Sequence, residues 1–229
     1  MANVVLFGPP GAGKGTQSDK IVKKFNLLKI SAGDLLRGEI KKKSKLGLEI
    51  KKVIDKGSFV EDSIIGKLIE EIISNQKNSN SILFDGYPRS MSQAKNLDLL
   101  LNKHNQKISC VLSLRVNSDV IIKRILGRQT CSNCGLIFNV FFSPASKENH
   151  LCDSKFLERR SDDNEETITK RIQTYHEVTL PISEYYRKRK ILHEIDGMRE
   201  IPIIYKEICE IMHTLETWLY TMHLYKKLL

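Results

Sequence analysis

Residues Gly8-Pro9-Pro10-Gly11-Ala12-Gly13-Lys14-Gly15-Thr16 lie between an apolar run at positions 4–7 and a helix-like run at positions 17–25. In such a strand–loop–helix setting, glycines let the backbone curl so that its N–H groups form an anion-binding nest at a helix N-terminus. Lys14 adds a mobile positive charge for the outer phosphates, and Thr16 adds a hydroxyl. In the general pattern Ser or Thr follows the lysine directly, but here Gly15 intervenes. The stretch therefore predicts a phosphate-binding loop of a restricted kind.

Apolar runs alternate with amphipathic stretches along the chain. Strands are predicted at residues 4–7, 27–30, 81–84, 108–116 and 190–195, and helices between them notably at 62–74, 92–101 and 118–126. This order predicts an α/β fold with a doubly wound parallel sheet of five strands, whose ligands bind at the carboxyl ends of the strands. Asp85 follows the third predicted strand, so we expect it at that edge, near the phosphate loop.

Two segments interrupt the alternation. Residues 31–60 are predicted to be wholly helical, whereas residues 128–160 are predicted to be an irregular or β insertion that carries three clustered cysteines. Helix signals resume at the acidic run 162–166, which suits a helix N-terminus. That helix is expected to run to about residue 188, with Pro181 kinking or splitting it. Past residue 213, apolar residues at helical spacing predict a long last helix, which packs on the core or forms a dimer contact.

The bulk composition restricts function only loosely. A chain of 229 residues suits one domain with insertions, and it contains no apolar run of about 18 residues that could cross a membrane. The apolar start is too short for a signal peptide, so we expect a cytoplasmic protein. The net charge of +10 suits polyanionic small molecules as well as nucleic acid, and no basic stripe interleaved with aromatic residues is present.

Further motifs follow the loop in a fixed order. They are SAGDLLR at residues 31–37, FDGYPR at 84–89 with Gln93 after it, RILGR at 124–128, RSDD at 160–163 and EETITKR at 165–171. With the Gly-Lys-Gly-Thr loop, these motifs resemble those of the adenylate kinases, which are nucleoside monophosphate kinases, over residues 1 to about 210. The resemblance implies a P-loop NTPase fold and reversible phosphoryl transfer from Mg-ATP to AMP, giving two ADP and maintaining adenine nucleotide balance.

The resemblance also implies an arrangement of domains and partners. A core kinase domain is expected over residues 1–30, 61–127 and 161–229, with an acceptor-binding insertion at 31–60 and a lid at 128–160. A lid is needed because water must be kept away from the transferring phosphoryl group. The expected partners are ATP, AMP and ADP, with Mg²⁺ bound to ATP, and the expected state is a monomer without nucleic acid or membrane.

Phosphoryl transfer brings two polyanions together, so catalysis depends mainly on positioning and on electrostatic stabilisation by cations. The resemblance implies catalytic roles for Lys14, Asp85, Arg89, Arg124, Arg160 and Arg171. It implies ATP binding by Gly11, Ala12, Gly13, Lys14, Gly15, Thr16, Arg124, Arg128 and Phe138. It implies AMP binding by Ala32, Arg37, Ser58, Val60, Gly86, Arg89, Gln93, Arg160 and Arg171.

Three aspartates carry open interpretations. Asp85 is interpreted as an outer-sphere anchor for Mg²⁺, because Mg²⁺ keeps several waters and takes few protein carboxylates. The alternative is an aspartate that caps the turn before Gly86. Asp162 and Asp163 fit a contact with the donor nucleotide and a helix cap equally well.

The clustered cysteines suggest a metal site. Cys131 and Cys134 have the Cys-x-x-Cys spacing of a zinc knuckle, and Cys152 follows later in the same segment. Tetrahedral zinc needs a fourth ligand, for which Asp153 is the first candidate and His150 the other. The lids of the family carry Cys-x-x-Cys twice or Asp in the last place, so the resemblance implies structural Zn²⁺. A lid that folds without metal and, last, a redox Cys-x-x-Cys are the alternatives.

The acceptor base and the reaction class leave alternatives as well. Ala32 stands where adenylate kinases commonly carry a threonine that contacts adenine, and losing one such hydrogen bond is worth about 1 kcal/mol. Gln93 at the adenine-reading position favours AMP, whereas a UMP/CMP kinase is the near alternative and is expected to have a short lid without cysteines. A zinc-ribbon nucleic-acid binder would leave the phosphate loop and the ordered arginines unexplained, and a nucleotide binder without turnover would be expected to lack one of the motif residues.

Overall fold

The computed structural model of the chain describes residues 3–74 and 81–228. For residues 219, 220 and 222–228 it describes the backbone only. Its strands are β1 Asn3–Phe7, β2 Leu28–Ser31, β3 Ile82–Asp85, β4 Ile108–Arg115, β5 Arg128–Cys131, β6 Ile137–Asn139, β7 Leu157–Glu158 and β8 Leu192–Asp196. Its α-helices are α1 Lys14–Phe25, α2 Ala32–Lys41, α3 Lys45–Asp55, α4 Asp62–Ser74, α5 Met91–Lys103, α6 Ser118–Leu126, α7 Glu165–Thr174, α8 Ile182–Lys188 and α9 Ile201–Leu228. Within residues 3–74 and 81–228, no helix is long and apolar enough to span a membrane.

The central sheet has five parallel strands in the order β2-β3-β1-β4-β8. This confirms the predicted α/β fold with a doubly wound parallel sheet. Strand β1 lies in the middle, where Leu6 pairs with Asp85 of β3 on one side and with Leu112 of β4 on the other. The phosphate loop that follows Phe7 therefore begins beside Asp85, at the carboxyl edge of the sheet.

Both faces of the sheet are covered, which explains the continuous apolar runs of its central strands. Alternate residues of β1 enter two different clusters of buried side chains. Val5 and Phe7 face the cluster that includes residues of α4, α5 and α8, while Val4 and Leu6 face the cluster that includes α1 and α9. Side chains of α9, such as Ile208, close the second face.

Residues 31–60 are not wholly helical, which corrects the sequence prediction. Helix α2 ends at Lys41, and α3 begins only at Lys45. Between them Lys43 adopts a left-handed backbone conformation with φ of 53°, and the Ser44 side chain accepts a hydrogen bond of 3.0 Å from the Gly47 N–H. The short polar connection and a serine N-cap therefore divide the segment into a helical hairpin.

The helix expected to run from the acidic segment at 162–166 to about residue 188 is split. Helix α7 is capped by Asn164, whose side chain accepts a hydrogen bond from the Thr167 N–H, and it passes into a π-helical turn at Tyr175–Thr179. Helix α8 starts just after Pro181, so the expected splitting near that proline is observed. The π turn was not foreseen, because no local sequence signal marks a shift from i→i+4 to i→i+5 hydrogen bonding.

The insertion at 128–160 contains a small antiparallel sheet with strand order β6-β5-β7. The β interpretation of this segment is therefore correct. Helix α9 is long, as the helical spacing past residue 213 predicts, and its earlier part packs on the core through Ile204, Ile208 and Met212. Trp218 lies farther along the helix and is half exposed.

Gly47 lets α3 approach α2 closely, and this contact generates a prediction. A Cβ atom on Gly47 would overlap the carbonyl oxygen of Glu39, whereas one on Gly38 of α2 would meet nothing within 4 Å. Gly47→Ala should therefore lower the free energy of unfolding by about 1–3 kcal/mol through overpacking. Gly38→Ala should raise it by about 0.5–1 kcal/mol, because alanine loses less backbone conformational entropy than glycine when the unfolded chain forms the helix. Denaturant unfolding of both variants measures the difference, and equal stability of the two variants would contradict the close packing.

Candidate active site

The phosphate loop contains three glycines at positions that other residues would occupy only with strain or a steric clash. Gly11 and Gly13 have φ angles of 74° and 90°. Gly8 has a φ of 143°, and a Cβ atom there would lie 2.8 Å from the Leu114 carbonyl oxygen. Gly13 is the N-cap of α1 and offers no side chain to the first helical N–H groups. Those N–H groups and the helix dipole therefore remain available to an anion.

Lys14 folds back over the loop. Its Nζ donates hydrogen bonds of 2.7 Å to the Gly8 carbonyl and 2.8 Å to the Pro9 carbonyl. Burial lowers the pKa of Lys14 to about 7, Asp85 opposes this shift, and the positive charges of Arg89, Arg171 and Arg128 add to it. Because an added negative charge favours the protonated amine, an arriving phosphate would raise this pKa again.

Asp85 is held at the carboxyl end of β3 next to the loop. It is buried, its Oδ2 accepts a hydrogen bond of 3.1 Å from the Ser18 hydroxyl, and Lys29 Nζ lies 3.8 Å away. Lys29 is itself paired with Asp19 at 2.7 Å. The carboxylate is therefore oriented by α1 and β2 rather than by the turn that follows it.

A cavity adjoins the loop between β1, β3 and the helical insertion. Its wall contains predicted AMP-binding residues from separate motifs, together with Lys14: Ala32, Arg37, Ser58, Val60, Gly86, Arg89, Gln93 and Arg171. Residues that the sequence reasoning did not assign to the site also line it, including Phe59, Tyr87, Tyr175 and Thr179. Tyr87 lies within the FDGYPR motif. No local motif marks Phe59, Tyr175 and Thr179, because their place in the wall depends on how the insertion and the π turn pack.

Arg89 is held in this wall by contacts with both its side chain and its backbone. Its Nε donates a hydrogen bond of 2.7 Å to the Gly86 carbonyl, and its guanidinium lies 5.8 Å from the centre of the Phe59 ring. The Thr179 hydroxyl donates to the Arg89 carbonyl at 2.8 Å. Burial and the nearby charge of Arg171 lower the pKa of Arg89 to about 10. Among the ion pairs of the described residues none includes Arg89, so its forked amino groups are available for a phosphate.

The neighbouring arginines are oriented by carboxylates. Arg171 pairs with Asp162 at 2.6 Å, and Arg128 forms a bidentate pair with Asp163. Asp162 and Asp163 therefore hold arginines, and the helix cap for which they were candidates is supplied by Asn164 instead.

Arg37 pairs with Asp34 at 2.5 Å, and this pair is more exposed. Burial, followed by the charge of Arg128, lowers the pKa of Arg160 to about 10. Burial likewise lowers the pKa of Arg171, although Asp162 opposes that shift. These pKa values are lowered mainly by burial and to a smaller extent by repulsion from Arg128 and Arg37. A poorly solvated, positively charged region of this kind suits a polyanionic ligand.

Some predicted residues lie outside the wall of this cavity. Arg124, Arg128 and Arg160 belong to the lid side, where the Arg124 guanidinium lies 5.8 Å from the centre of the Phe142 ring. Phe138 was predicted to bind ATP, but its side chain is buried inside the lid with its ring 4.9 Å from that of His150. Its ring therefore contributes to the interior of the lid.

Three cysteines and one histidine of the lid lie close together. One potential ligand atom from each of Cys131, Cys134, His150 and Cys152 lies within 4.8 Å of the others. His150 is buried, and its Nε2 has no hydrogen-bond partner among the described residues. Asp153, the first candidate for the fourth ligand, is outside this group because its Oδ1 accepts the Lys155 N–H at 2.9 Å and caps the 3₁₀ turn Ser154–Phe156.

This geometry agrees with comparisons to known proteins. The family model described as adenylate kinase matches residues 6–191, from β1 through α8. The chain belongs to the adenylate kinase family. The adenylate kinase of Pelagibacter ubique is 46% identical over 210 residues, which cover 92% of this chain and 99% of that protein. The adenylate kinase of Archaeoglobus fulgidus is 37% identical over 217 residues, covering 94% of this chain and all of that protein.

Membership in the family fixes the reaction. This kinase catalyses the reversible transfer of a phosphoryl group from ATP to AMP, which gives two ADP. The family uses ATP as its magnesium complex. The alternatives of a nucleic-acid-binding zinc ribbon and a pyrimidine-specific kinase are therefore set aside.

The lowered pKa of Lys14 predicts a proton linkage. At pH 8 the free kinase should hold Lys14 mostly neutral, whereas ATP, with its phosphates ionised, should favour the charged amine, so binding should take up about one proton. The uptake should fall as the pH drops below 7. Calorimetric titration with ATP alone, in buffers of different ionisation enthalpy, measures the number of protons.

Lys14→Arg is the matched control, because a guanidinium keeps its charge throughout this pH range. The variant should show little proton uptake at pH 8. Equal uptake by the wild type and by Lys14→Arg would contradict a neutral Lys14 in the free enzyme.

Proposed function

We propose that this kinase transfers the phosphoryl group at the carboxyl edge of β1 and β3, between the phosphate loop and the cavity beside it. The observation that carries this proposal is the set of buried, mutually repelling cations around Lys14. Residues 11–16 would hold the donor phosphates through backbone N–H groups, the Lys14 amine and the Thr16 hydroxyl. Charge that develops on the transferring oxygens would then meet positive groups already in place.

The arginines divide between the two nucleotides in this proposal. Arg37 and Arg89 bind the phosphate of AMP, and Arg124 and Arg128 bind ATP from the lid side. The charges of both Arg37 and Arg128 act on Arg160 and Arg171. This supports assigning Arg160 and Arg171 to the group in transit, with roles in both catalysis and AMP binding. Planar guanidinium groups suit these positions because they form two parallel hydrogen bonds to phosphate oxygens.

Asp85 is the residue that we assign to the magnesium ion of Mg-ATP. Its buried carboxylate is oriented by Ser18 and lies at the same strand edge as the phosphate loop. A single carboxylate is sufficient because Mg²⁺ keeps several of its waters. When bound, Mg²⁺ would offset negative charge on the donor phosphates. The Asp85 carboxylate would offset part of the positive charge of the ion.

We also propose that residues 31–60 and 128–160 move as two closing segments on the core formed by 1–30, 61–127 and 161–229. The lid strand β6 already approaches the loop, since a Cβ atom on Gly15 would lie 3.2 Å from Ile137 Cδ1. In the insertion, Ser58 and Val60 line the acceptor cavity. Closure would exclude water and bring the lid arginines to the donor.

A direct test follows the formation of ADP from Mg-ATP and each of AMP, UMP, CMP, GMP and dTMP. AMP should be the preferred acceptor, and Arg89→Lys should lower kcat/KM for AMP by about 10³-fold or more, because the ammonium loses the forked contact. The matched control is Arg187→Lys on the outer surface, where the arginine pairs with Glu184 and Glu194.

The proposed roles would be contradicted if Arg89→Lys behaved like Arg187→Lys. A faster rate with UMP or CMP would overturn the choice of acceptor while leaving the fold intact. We further propose a cytoplasmic monomer, because the proposed catalytic groups come from one chain and none of the five cysteines forms a disulfide. The specific rate in the same assay should then be independent of enzyme concentration.

We propose that the lid binds a structural zinc ion through Cys131, Cys134, His150 and Cys152. Three thiolates and one imidazole form a closed tetrahedral ligand set. The buried Nε2 of His150 without a partner supports the assignment, because an unsatisfied buried nitrogen costs free energy, and coordination of a metal by that nitrogen would remove the cost. The ion would stiffen the lid and take no part in the transfer.

Metal content and lid stability test the zinc proposal. The purified chain should contain about one zinc per molecule, and His150→Ala should lose most of it and unfold at a lower temperature. Asp153→Ala is the matched control and should keep its zinc, because Asp153 only caps a turn. Zinc loss in Asp153→Ala with retention in His150→Ala would reverse the assignment, and the absence of zinc from the wild type would refute it.

A further inference from the structure

The amide of Gln93 is held at both ends by groups that cannot exchange roles. Its Oε1 accepts a hydrogen bond of 2.7 Å from the backbone N–H of Arg89. Its Nε2 donates a hydrogen bond of 2.6 Å to Asp62 Oδ1. A backbone N–H can only donate and a carboxylate can only accept, so turning the amide over would replace both bonds by repulsive contacts.

Asp62 is itself fixed by a serine pair. It begins α4, directly after the segment that contributes Phe59 and Val60 to the cavity wall. The hydroxyls of Ser90 and Ser92 donate to its Oδ2, with the Ser90 contact at 3.1 Å, and Ser90 also caps α5 by accepting the Gln93 N–H. The carboxylate thus joins the end of the helical insertion to Gln93 in the cavity wall.

One donor and one acceptor of the amide stay free. An amide nitrogen carries two protons and an amide oxygen two lone pairs, and the protein uses one of each. Gln93 lines the cavity and is the one carboxamide among the described residues that do so. The fixed amide therefore presents a donor and an acceptor side by side, in an order that cannot be reversed while Asp62 is charged.

This order has consequences for the base of the acceptor. Adenine offers an acceptor at N1 and a donor at its 6-amino group, whereas hypoxanthine offers a donor at N1 and an acceptor at O6. A freely turning amide would match either base, but a locked amide matches one. We propose that Asp62 is a specificity-determining positioning residue, which locks the Gln93 amide in the orientation that selects a 6-aminopurine over a 6-oxopurine. This inference rests on the proposed role of Gln93 in the acceptor site.

The test compares AMP with inosine monophosphate, two acceptors that differ only at this base edge. In the wild type kcat/KM should favour AMP strongly. Asp62→Asn should lower the AMP-to-IMP ratio of kcat/KM by about tenfold or more, because an asparagine can donate or accept and so removes one of the two locks. The loss for AMP should appear mainly in KM for the acceptor, with KM for ATP unchanged.

Two further variants separate positioning from general damage. Glu61→Gln removes the adjacent carboxylate, which accepts a hydrogen bond from the Ser63 hydroxyl, and should leave the ratio unchanged. In a Gln93→Leu background, Asp62→Asn should cause no further change in the ratio, since the amide to be locked is gone. Thermal unfolding of each variant checks the fold.

The outcomes distinguish this inference from the proposed function. If Asp62→Asn lowers kcat/KM for AMP and IMP equally, Asp62 only supports the packing of α4 and the inference is wrong. An unchanged ratio, or an equal change in Glu61→Gln, would also overturn it. If the wild type phosphorylates AMP but does not discriminate against IMP, the locked amide does not read the base. If the wild type forms no ADP from AMP, the proposed function itself fails.

Discussion

The site depends on the cost of holding several cations together at the poorly solvated edge of a sheet. Burial is the largest cause that lowers the pKa of Lys14 and of Arg89. The charges of Arg89 and Arg171 lower the pKa of Lys14 further, and the charge of Arg171 lowers that of Arg89. Such an arrangement stores unfavourable electrostatic energy that a polyanion relieves on binding. In the proposed mechanism these cations would offset the mutual repulsion of two bound nucleotides, once Lys14 has taken up its proton and the lid has closed.

Carboxylates that the fold places near these cations reduce the repulsion between them. Parallel pairing of β1 with β3 sets Asp85 beside the phosphate loop, where its negative charge partly balances Lys14. Asp162 and Asp163 hold two of the arginines in place, so that the positive groups are separated by carboxylates rather than stacked on one another. Arg89 has a ring and two backbone contacts instead, which leave its guanidinium open to the cavity.

Much of this could be predicted from the sequence because the signals are local. The glycine loop, the apolar strands and the ordered motifs each lie within a few residues, and the parallel sheet follows from their alternation. The break at Lys43 and the π turn at 175–179 could not be predicted, because they depend on caps and packing between elements. His150 was ranked behind Asp153 since sequence spacing could not show that Asp153 caps its own turn while His150 turns inward.

Positive charge and the direction of hydrogen bonds serve different parts of substrate recognition. Phosphate contacts attract any nucleotide, because every nucleotide carries the same phosphates, so selection among bases has to come from hydrogen bonds at the base edge. Ala32 supplies no hydroxyl for that purpose, and the cavity wall near the insertion includes the apolar Leu36 and Val60. Selection between bases is then left to the Gln93 amide. Its oxygen and its nitrogen ends are similar in shape, but the oxygen accepts hydrogen bonds and the nitrogen donates them. Such a group discriminates only when its orientation is fixed, and a carboxylate opposite a backbone N–H fixes it more firmly than any neutral side chain that can both donate and accept.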